Sequence, residues 1–521
     1  MLALLIAVAL LRIAATWRTF SATADEATHV GAGLELIQFH RYTLHRHNPP
    51  LPRLVLATIP WLSGMRFDRR GSFTDQLHSV FYGAGKYESN LARARAGNLF
   101  FFLLATAGIW FCAREALDQW GAILAVFLFT TEPMILGHSG LATHDAAAAA
   151  GVACSLAFFS RWLRRPKLTN AIGVGAMFGL SVLFKFSCIA FVPVACLAMY
   201  AVRLGHDRPL RASSRRNLLS VLPALAVSLL VIWAGYGFTM GRRSDIAPWT
   251  TGLKGFPALL LAHVGASAPL PAPAFLAGLA TMITTEAHGW QSYLCGEISM
   301  TGWWWYFPFA ILLKTTLAAL VAFLVGGWFA LRSPSRRWMF LEWSAAALSM
   351  VAVAMPSTLD IGVRYLLPFY GPFAIAATIG LCAMFEASRR LRRAAALLLA
   401  LQLVASAGAH PDYFPYFNAL AGRDPSRYLV DSNLDWGQDV LRLRRVIRQR
   451  KIDRIELALL GAADYDALGF PPHDDPNAAK GQTGWIAVSD HAYRMAPREE
   501  FLWLPTQYER IGKSIRLYRL R

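Results

Sequence analysis

Residues 2–29 read LALLIAVALLRIAATWRTFSATADEATH, an apolar stretch that runs directly into two adjacent acids, and this combination decides the fold. The part Leu2–Trp17 predicts a membrane helix, since a span needs about 20 mostly apolar residues. Asp25 and Glu26 follow where that helix would end. Ionised carboxylates are costly in hydrocarbon, so the pair must lie in water, among lipid headgroups, or in a cavity that accommodates charge.

The composition is that of a polytopic membrane protein. Of the 521 residues 55% are hydrophobic, and the mean hydropathy is +0.37, whereas soluble domains contain roughly 45–50% apolar residues. The six cysteines show neither Cys-x-x-Cys nor Cys/His spacing, which argues against a disulfide framework and against a zinc site. The net charge of +19 comes mainly from arginines in short loops between apolar runs, and this placement argues against nucleic acid as a partner.

The short loops alternate between rich and poor in positive charge, which sets the orientation in the membrane. The arginine-rich loops are 161–167, 203–216, 332–337 and 389–393, and the loops with at most one basic residue are 136–144, 184–187 and 356–365. The positive-inside rule places the arginine-rich loops in the cytoplasm. We therefore expect a cytoplasmic N-terminus and an external C-terminus.

The apolar runs predict about eleven membrane helices, by the measure of about 20 residues for each span. They are placed near 2–18, 95–113, 120–135, 145–162, 169–184, 187–204, 217–237, 305–331, 338–356, 361–385 and 394–410. Ala22-Thr23-Ala24 resembles a signal-peptide cleavage site, but no basic segment precedes the apolar run, so we expect the first helix to be retained. The predicted fold class is mainly α.

Two predicted domains follow from these spans. Residues 1–410 form the membrane domain, with long external loops at 19–94 and 238–304, and the first of these loops contains short interfacial helices. Residues 411–521 are more charged and form a small external α/β domain. Within it we predict a helix over 439–450 and strands over 453–460, 484–490 and 514–520.

The residues whose side chains could take part in catalysis or binding lie in loops that the charge pattern places outside. They are Asp25, Glu26, His144, Asp145, Lys185, Glu286, His288, Asp360 and Arg364. Any one of them alone is more simply a solvated helix end, and Asp145 has the further alternative of a helix N-cap. Lys185 lies in the apolar context LFKF, where an ammonium group needs a partner such as a lipid phosphate.

Two further patterns carry open alternatives. The aromatic run Trp303–Phe307, which contains Trp304 and Tyr306, is either an interfacial belt or a wall for a polyprenyl chain or a sugar. The acids Asp431, Asp435 and Asp439 are spaced by four, which indicates one side of a helix and only weakly a metal site.

Several segments together resemble motifs of membrane glycosyltransferases of the GT-C class, most of all the bacterial relatives of the protein O-mannosyltransferases (family 39). In chain order these segments are Asp25–His29 (DEATH), Asn48–Leu51 (NPPL), Leu136–Asp145, Gly179–Ser187 (GLSVLFKFS), Leu294–Lys314, Gly362–Pro368 (GVRYLLP) and Asp431–Asp439 (DSNLDWGQD). The resemblance extends over nearly the whole chain. Asn48 stands where the family has a histidine, and His144 precedes Asp145 where the family often has threonine or leucine.

The resemblance implies an enzyme of the bacterial inner membrane that uses a polyprenyl-phosphate-linked sugar as donor and transfers the sugar on the periplasmic face, usually with inversion. Carried over by position, Asp25 is the general base, Glu26 orients the acceptor or Asp25, and Asp145 is a second acid near the sugar. Lys185 and Arg364 hold the lipid phosphate. His144, Trp304 and Tyr306 are further candidates for substrate binding. The implied partners are the polyprenyl-phosphate sugar, membrane lipids and an acceptor that is a protein, a lipid or an envelope glycan.

No cofactor and no metal are expected, because the two departures from the family pattern argue against a metal at this site. One alternative function is a transporter or flippase of lipid-linked sugars, which predicts charges near the bilayer midplane and repeat symmetry between the halves. Another is a catalytically silent scaffold whose outer domain binds a partner. The sequence shows no internal repeat, and it retains both acids and both cations of the motif set.

Overall fold

A computed structural model describes residues 1–207, 219–253, 265, 267–461, 463–476, 483–497 and 500–520. Part of the arginine-rich loop 203–216 therefore lies outside the described residues, namely Arg208, Arg211, Arg215 and Arg216. The described chain is mostly helical, as the apolar runs predict.

Each of the eleven predicted spans coincides with a helix or with a pair of consecutive helices. These are α1 (Leu2–Thr16), α6 (Leu99–Ala116), α7 (Gln119–Thr131) with α8 (Pro133–Ser139), α9 (Asp145–Arg164), α10 (Leu168–Phe184), α11 (Cys188–His206), α12 (Val221–Gly235), α15 (Tyr306–Lys314) with α16 (Leu317–Arg332), α17 (Arg337–Ala354), α18 (Tyr370–Ala387) and α19 (Arg389–Gly408). By length and composition, five helices could cross a membrane, or seven if each bent pair is counted as one span. Three shorter apolar helices, α1, α10 and α12, accompany them.

Two of the predicted spans are not straight. The pair α7–α8 bends by 63° and the pair α15–α16 by 109°. Glu132 has extended backbone angles ahead of Pro133, as expected before a proline, which disfavours the helical region for the preceding residue. Thr315 and Thr316 are extended between α15 and α16, so the span predicted over 305–331 consists of two helices rather than one straight helix.

The first long loop, which was predicted to be external, is helical along most of its length. It contains α2 (Glu26–Phe39), α3 (Pro50–Leu62), α4 (Phe73–Tyr82) and α5 (Tyr87–Gly97). Helix α2 is enclosed rather than interfacial, since every residue from Glu26 to Glu35 is buried. Gly33 allows α2 to cross α3 closely, because a Cβ atom at this position would lie 2.1 Å from the carbonyl oxygen of Arg53.

The described part of the second long loop, also predicted to be external, contributes two short antiparallel pairs and two helices. The strands are β1 (Met240–Arg242) with β2 (Pro269–Pro271) and β3 (Ser292–Leu294) with β4 (Glu297–Ser299). The helices are α13 (Arg243–Thr250) and α14 (Pro273–His288). A seven-residue 3₁₀ helix, Val363–Phe369, leads from the end of the loop after α17 into α18.

The C-terminal segment has the α/β character predicted for it. Its elements are α20 (Val440–Arg450), β5 (Ile455–Ala458), β6 (His473–Asp474), β7 (Gly484–Ser489), α21 (Asp490–Met495), β8 (Glu509–Ile511) and β9 (Ile515–Leu520). The five strands form one sheet in the order β6-β5-β7-β9-β8, parallel from β6 to β7 and antiparallel beyond it. Strands β6 and β8 were not predicted, because each is too short to show an alternating pattern.

The C-terminal sheet and the first external loop share a hydrophobic core. Buried residues of α2–α5, such as Val30, Leu56 and Leu91, cluster with Leu443 of α20 and Leu517 of β9. A separate, larger core lies among the apolar helices. The outer segment is therefore packed onto the loop that carries the acidic pair.

Candidate active site

Four charged side chains from distant parts of the chain meet at the ends of helices. The Lys185 Nζ atom lies 2.6 Å from Asp145 Oδ1, and Arg364 Nη1 lies 2.8 Å from Asp25 Oδ2 and 3.8 Å from Asp145 Oδ2. Asp25 precedes α2, Asp145 begins α9, Lys185 follows α10 and Arg364 precedes α18. We call these four residues the charged cluster; the structure thus brings together the acids and cations that the motifs predicted.

Arg364 is the centre of the charged cluster. Its guanidinium group lies 4.0 Å from the centroid of the Trp436 ring and 5.2 Å from that of Tyr365, an arrangement typical of cation–π contact. The Nε atom of Arg364 is buried and has no hydrogen-bond partner in the described part of the chain. Because a buried donor without a partner is costly, this N–H is available to an acceptor that enters the site.

The two acids of the charged cluster differ in accessibility. The side chain of Asp25 is 39% exposed, whereas that of Asp145 is fully buried. Asp145 accepts hydrogen bonds from Lys185 Nζ and from Thr143 Oγ1 at 3.1 Å. Asp145 is therefore committed to holding the two cations, and Asp25 is the acid that a substrate can reach.

Glu26, which the resemblance predicted to orient the acceptor or Asp25, does not take part in this cluster. Its side chain is fully buried and forms a bidentate pair with Arg95, at 2.8 Å from Nε and 2.7 Å from Nη2. It also accepts the backbone N–H groups of Thr23 and Ala142. With both oxygens occupied, Glu26 cannot orient an acceptor; it fixes the loop on which Asp25 lies.

His144 belongs to a buried histidine pair beside the cluster. Its Nδ1 atom lies 3.1 Å from Nε2 of His29, and Arg53 Nε donates to His29 Nδ1 at 3.3 Å. Arg53 is buried, also donates to the carbonyl oxygens of Leu44 and His45, and pairs with no carboxylate among the described residues. Arg53 therefore adds an uncompensated positive charge to the region.

The two aromatic candidates lie outside the charged cluster. Trp304 is 68% exposed, which fits the interfacial belt better than a binding wall. Tyr306 is buried, and its hydroxyl oxygen accepts a hydrogen bond from Asn433 Nδ2 at 2.8 Å. Asn433 Oδ1 in turn accepts the N–H of Val363 at 3.0 Å, so Tyr306 supports the segment that carries Arg364.

The segment Asp431–Asp439 packs against the loop that carries Asp25. Its acids do not share a helix face, because each turns to a different partner. Asp435 accepts a hydrogen bond from the backbone N–H of His491, and Asp439 accepts hydrogen bonds from the side chains of Arg442 and Ser514. Backbone bonds join Ala24 to Trp436 at 3.1 Å and Ser21 to Gln438 at 2.9 Å, which holds the Asp25 loop against this segment.

The described residues include no group of three or more His, Cys, Asp or Glu side chains that could hold a metal ion. The absence of a cofactor remains a prediction from the sequence.

Sequence reasoning missed several residues around the cluster, chiefly Arg53, His29, Arg95 and Trp436. Arg53 and His29 lie within or beside matched motifs, at NPPLPR and DEATH, so a closer look at charge within those motifs could have found them. The Arg95–Glu26 pair joins residues that are 69 apart, and no local pattern indicates it.

The chain is similar to known proteins in sequence over part of its length and in fold over most of it. A sequence profile described as dolichyl-phosphate-mannose-protein mannosyltransferase matches residues 87–233. This range contains His144, Asp145 and Lys185, but neither Asp25 nor Arg364. No curated protein sequence matches the chain significantly.

Solved structures share the fold along most of the chain. ArnT from Cupriavidus metallidurans, solved with bound undecaprenyl phosphate, is 14% identical with a TM-score of 0.54, and the match covers 99% of this chain and 97% of ArnT. The oligosaccharyltransferase of Archaeoglobus fulgidus, tethered to an acceptor peptide with the NVT sequon, is 14% identical with a TM-score of 0.50 and coverages of 95% and 70%. AglB from the same organism, in complex with an inhibitory peptide and a dolichol-phosphate, gives the same values.

The comparisons define the class of fold to which the chain belongs. The chain has the fold of the GT-C membrane glycosyltransferases, and it is a multi-pass membrane protein. The predicted resemblance to this class, and within it to the protein O-mannosyltransferase relatives, is thereby confirmed.

Proposed function

We propose that this protein is a glycosyltransferase that moves a sugar from a polyprenyl-phosphate-linked donor to an acceptor hydroxyl group. The observation that carries the proposal is the charged cluster, in which a buried N–H of Arg364 has no acceptor among the described residues. The solved relatives named above bind undecaprenyl phosphate or dolichol-phosphate, and a lipid phosphate is the anion that this proposal assigns to the cluster.

Lys185 and Arg364 bind the donor phosphate in this proposal. Two positive charges face two acids within the cluster, and Arg53 adds a third positive charge close by. A phosphate that enters the cluster compensates the excess positive charge and accepts a hydrogen bond from the Nε–H of Arg364. Charge-assisted hydrogen bonds of this kind are roughly twice as strong as neutral ones.

Asp25 acts as the general base. The acceptor oxygen attacks the anomeric carbon, its proton passes to a carboxylate oxygen of Asp25, and the bond from the anomeric carbon to the phosphate oxygen breaks. The polyprenyl phosphate leaves with that electron pair, and the negative charge that develops on it is stabilised by Lys185 and Arg364. Attack opposite the leaving phosphate inverts the anomeric centre.

The proposed reaction takes place on the external face of a bacterial inner membrane. The helix ends that carry the four residues adjoin the loops poor in arginine, which the positive-inside rule places outside. The acceptor is a hydroxyl group of a protein, a lipid or an envelope glycan. A flippase of lipid-linked sugars is the weaker proposal, because all four charges lie at helix ends rather than near the middle of a span.

The test is transfer of labelled sugar by the purified protein in lipid nanodiscs. A panel of polyprenyl-phosphate sugars is offered with a membrane extract as the source of acceptor, and wild type is compared with Asp25→Asn. Since general bases contribute about 10²–10⁴-fold to rate, we expect Asp25→Asn to lose activity by this factor with an unchanged unfolding temperature. Asp68→Asn is the matched control, because Asp68 is a surface acid paired only with the exposed Arg70.

Two results would contradict the proposal. Full activity of Asp25→Asn removes Asp25 as the base. Absence of transfer by the wild type with every donor, together with movement of intact lipid-linked sugar across the bilayer, replaces the transferase with the flippase.

A further inference from the structure

The buried chain Arg53–His29–His144 has a polarity that fixes the position of one proton. Arg53 Nε lies 3.3 Å from His29 Nδ1, and His29 Nε2 lies 3.1 Å from His144 Nδ1. The two rings are 4.6 Å apart between centroids. All three side chains are buried, so bulk water does not substitute for these contacts.

The direction of the chain follows from the donor groups. A guanidinium group has only donors, so Nδ1 of His29 must accept. A neutral His29 then carries its proton on Nε2 and donates it to Nδ1 of His144. With its own Nδ1 accepting, a neutral His144 carries its proton on Nε2.

The surroundings keep both rings neutral. Burial lowers the pKa of His29 and of His144 well below the ordinary value, and the charges of Arg53 and Lys185 act in the same direction on His144. The other groups acting on His144 are Arg364 and His47, and those acting on His29 include Asp145 and His45. Burial also lowers the pKa of His47, to about 4.

The Nε2 atom of His144 has no hydrogen bond within the described residues, and the side chain is not completely enclosed, since the residue retains 7% of its exposure. Lys185 is the charged group that acts most strongly on His144. The next residue in the chain is Asp145, which pairs with Lys185, so His144 adjoins the charged cluster.

We propose that Arg53 and His29 are positioning residues that hold the proton of His144 on Nε2, so that this N–H donates to an oxygen of the phosphate bound by Lys185 and Arg364. This inference rests on the proposed function, in which a lipid phosphate occupies the charged cluster. In this arrangement the phosphate accepts a hydrogen bond from a neutral donor, His144, in addition to its contacts with the two cations. His29 fixes which nitrogen of His144 is that donor.

The proton position can be measured without any substrate. Solid-state nitrogen-15 NMR of histidine-labelled protein in lipid bilayers distinguishes protonated from unprotonated ring nitrogens, and the His144 signals are identified by their loss in His144→Phe. We expect a neutral His144 ring with the proton on Nε2. A ring protonated on Nδ1, or on both nitrogens, overturns the inference.

The role of the chain is tested by binding of undecaprenyl phosphate as the probe. His29→Leu breaks the chain, whereas His29→Gln keeps an acceptor for Arg53 and a donor for His144. Because hydrogen bonds to charged groups contribute enough for a tenfold or greater change, we expect His29→Leu to bind about tenfold more weakly and His29→Gln to retain most of the affinity. In His29→Leu the proton of His144 should also redistribute between the two ring nitrogens.

The outcomes separate this inference from the proposed function. Wild-type protein that does not bind undecaprenyl phosphate contradicts the proposed function, while the NMR spectrum still decides where the proton lies. Wild-type binding that is equally strong in His29→Leu contradicts the inference alone. If His29→Leu does not fold, the wild-type spectrum and the affinity of His29→Gln decide: a Gln variant as weak as His144→Phe overturns the proposed polarity.

Discussion

Asp25 and Asp145 contact the same guanidinium group, yet their surroundings suit them to different tasks. Asp145 is fully buried and hydrogen-bonded to Lys185, whereas Asp25 is 39% exposed and forms its ion pair with Arg364. Removing one partner of a buried ion pair leaves an uncompensated charge, so substitutions at Asp145 combine effects on stability and activity. Asp25 is the better probe of the chemistry.

Asp360 gives the site region a predictable dependence on pH. Its Oδ2 atom accepts a hydrogen bond from the backbone N–H of Trp303 at 2.6 Å, but Oδ1 is buried without a partner in the described part of the chain. Burial raises the pKa of Asp360 to about 7, and the charge of Glu286 adds to this effect against the opposing hydrogen bond from Trp303. The folded protein therefore holds a proton that the unfolded chain releases above the ordinary pKa near 3.8.

We expect the contribution of Asp360 to the free energy of unfolding to fall as the pH rises from about 4 to about 7, at up to about 1.4 kcal/mol per pH unit. Asp360→Asn stays neutral and should lose less stability over this range, so its advantage over wild type should be larger at pH 7 than at pH 5. Unfolding temperatures of both proteins at the two values measure this. A constant difference between them shows that Asp360 is already ionised in the folded protein at pH 5.

At the scale of elements, the acidic loop is held by one buried ion pair between α2 and α5. Glu26 begins α2 and Arg95 lies near the end of α5, and both side chains are fully buried. Arg95 also donates to the carbonyl oxygens of Phe20 and Ser21. The pair thus joins the loop before α2 to a helix that continues into the membrane bundle.

Glu26→Gln should destabilise the protein by about 3–5 kcal/mol, because it leaves Arg95 charged and without its counter-charge. Unfolding temperature in detergent, measured together with transfer activity, tests this. Glu88→Gln is the control, since Glu88 is 48% exposed and pairs with Arg444 at the surface, where ion pairs contribute about 0–1 kcal/mol. A Glu26→Gln protein of normal stability that lacks activity would return Glu26 to the catalytic residues.

The crossing of α2 and α3 depends on Gly33. A Cβ atom there would lie 2.1 Å from the Arg53 carbonyl oxygen and 2.6 Å from Ala57 Cβ, so the two helices must move apart. We expect Gly33→Ala to destabilise by about 1–3 kcal/mol, as overpacking usually does, and to lower transfer because Arg53 moves relative to His29. Gly408→Ala is the control, as no atom lies within 4 Å of its Cβ position; equal effects of the two substitutions would exclude close packing as the cause.

The elements were predictable to different extents. The spans were predictable because a long apolar run is a local signal. In the C-terminal segment, the periodicity of apolar residues predicted helix α20 and three of the five strands of the described sheet. The bend between α15 and α16 was not predicted, since Lys314, Thr315 and Thr316 lie within an otherwise continuous apolar run. Lys314 is buried and donates to the carbonyl oxygens of Phe414 and Asn433, which lie 100 and 119 residues further along the chain, so no local pattern reveals these partners.

At the scale of the whole molecule, the site depends on contacts that span the chain. Arg364 is bonded to an acid 339 residues earlier and packs against Trp436 of the outer segment. The order of the motifs and the charge of the loops were enough to predict that Asp25, Asp145, Lys185 and Arg364 share one side. Their partners, above all Arg53 and His29, required the packing of α2 on α3, which the sequence alone does not specify.

The most direct test of the central claim is the position of a lipid phosphate in the protein. A cryo-electron microscopy structure in nanodiscs with added undecaprenyl phosphate should show the phosphate within hydrogen-bonding distance of Lys185 Nζ and Arg364 Nε, with Asp25 beside it. A phosphate bound elsewhere, with the Arg364 Nε–H still lacking an acceptor, would contradict the account.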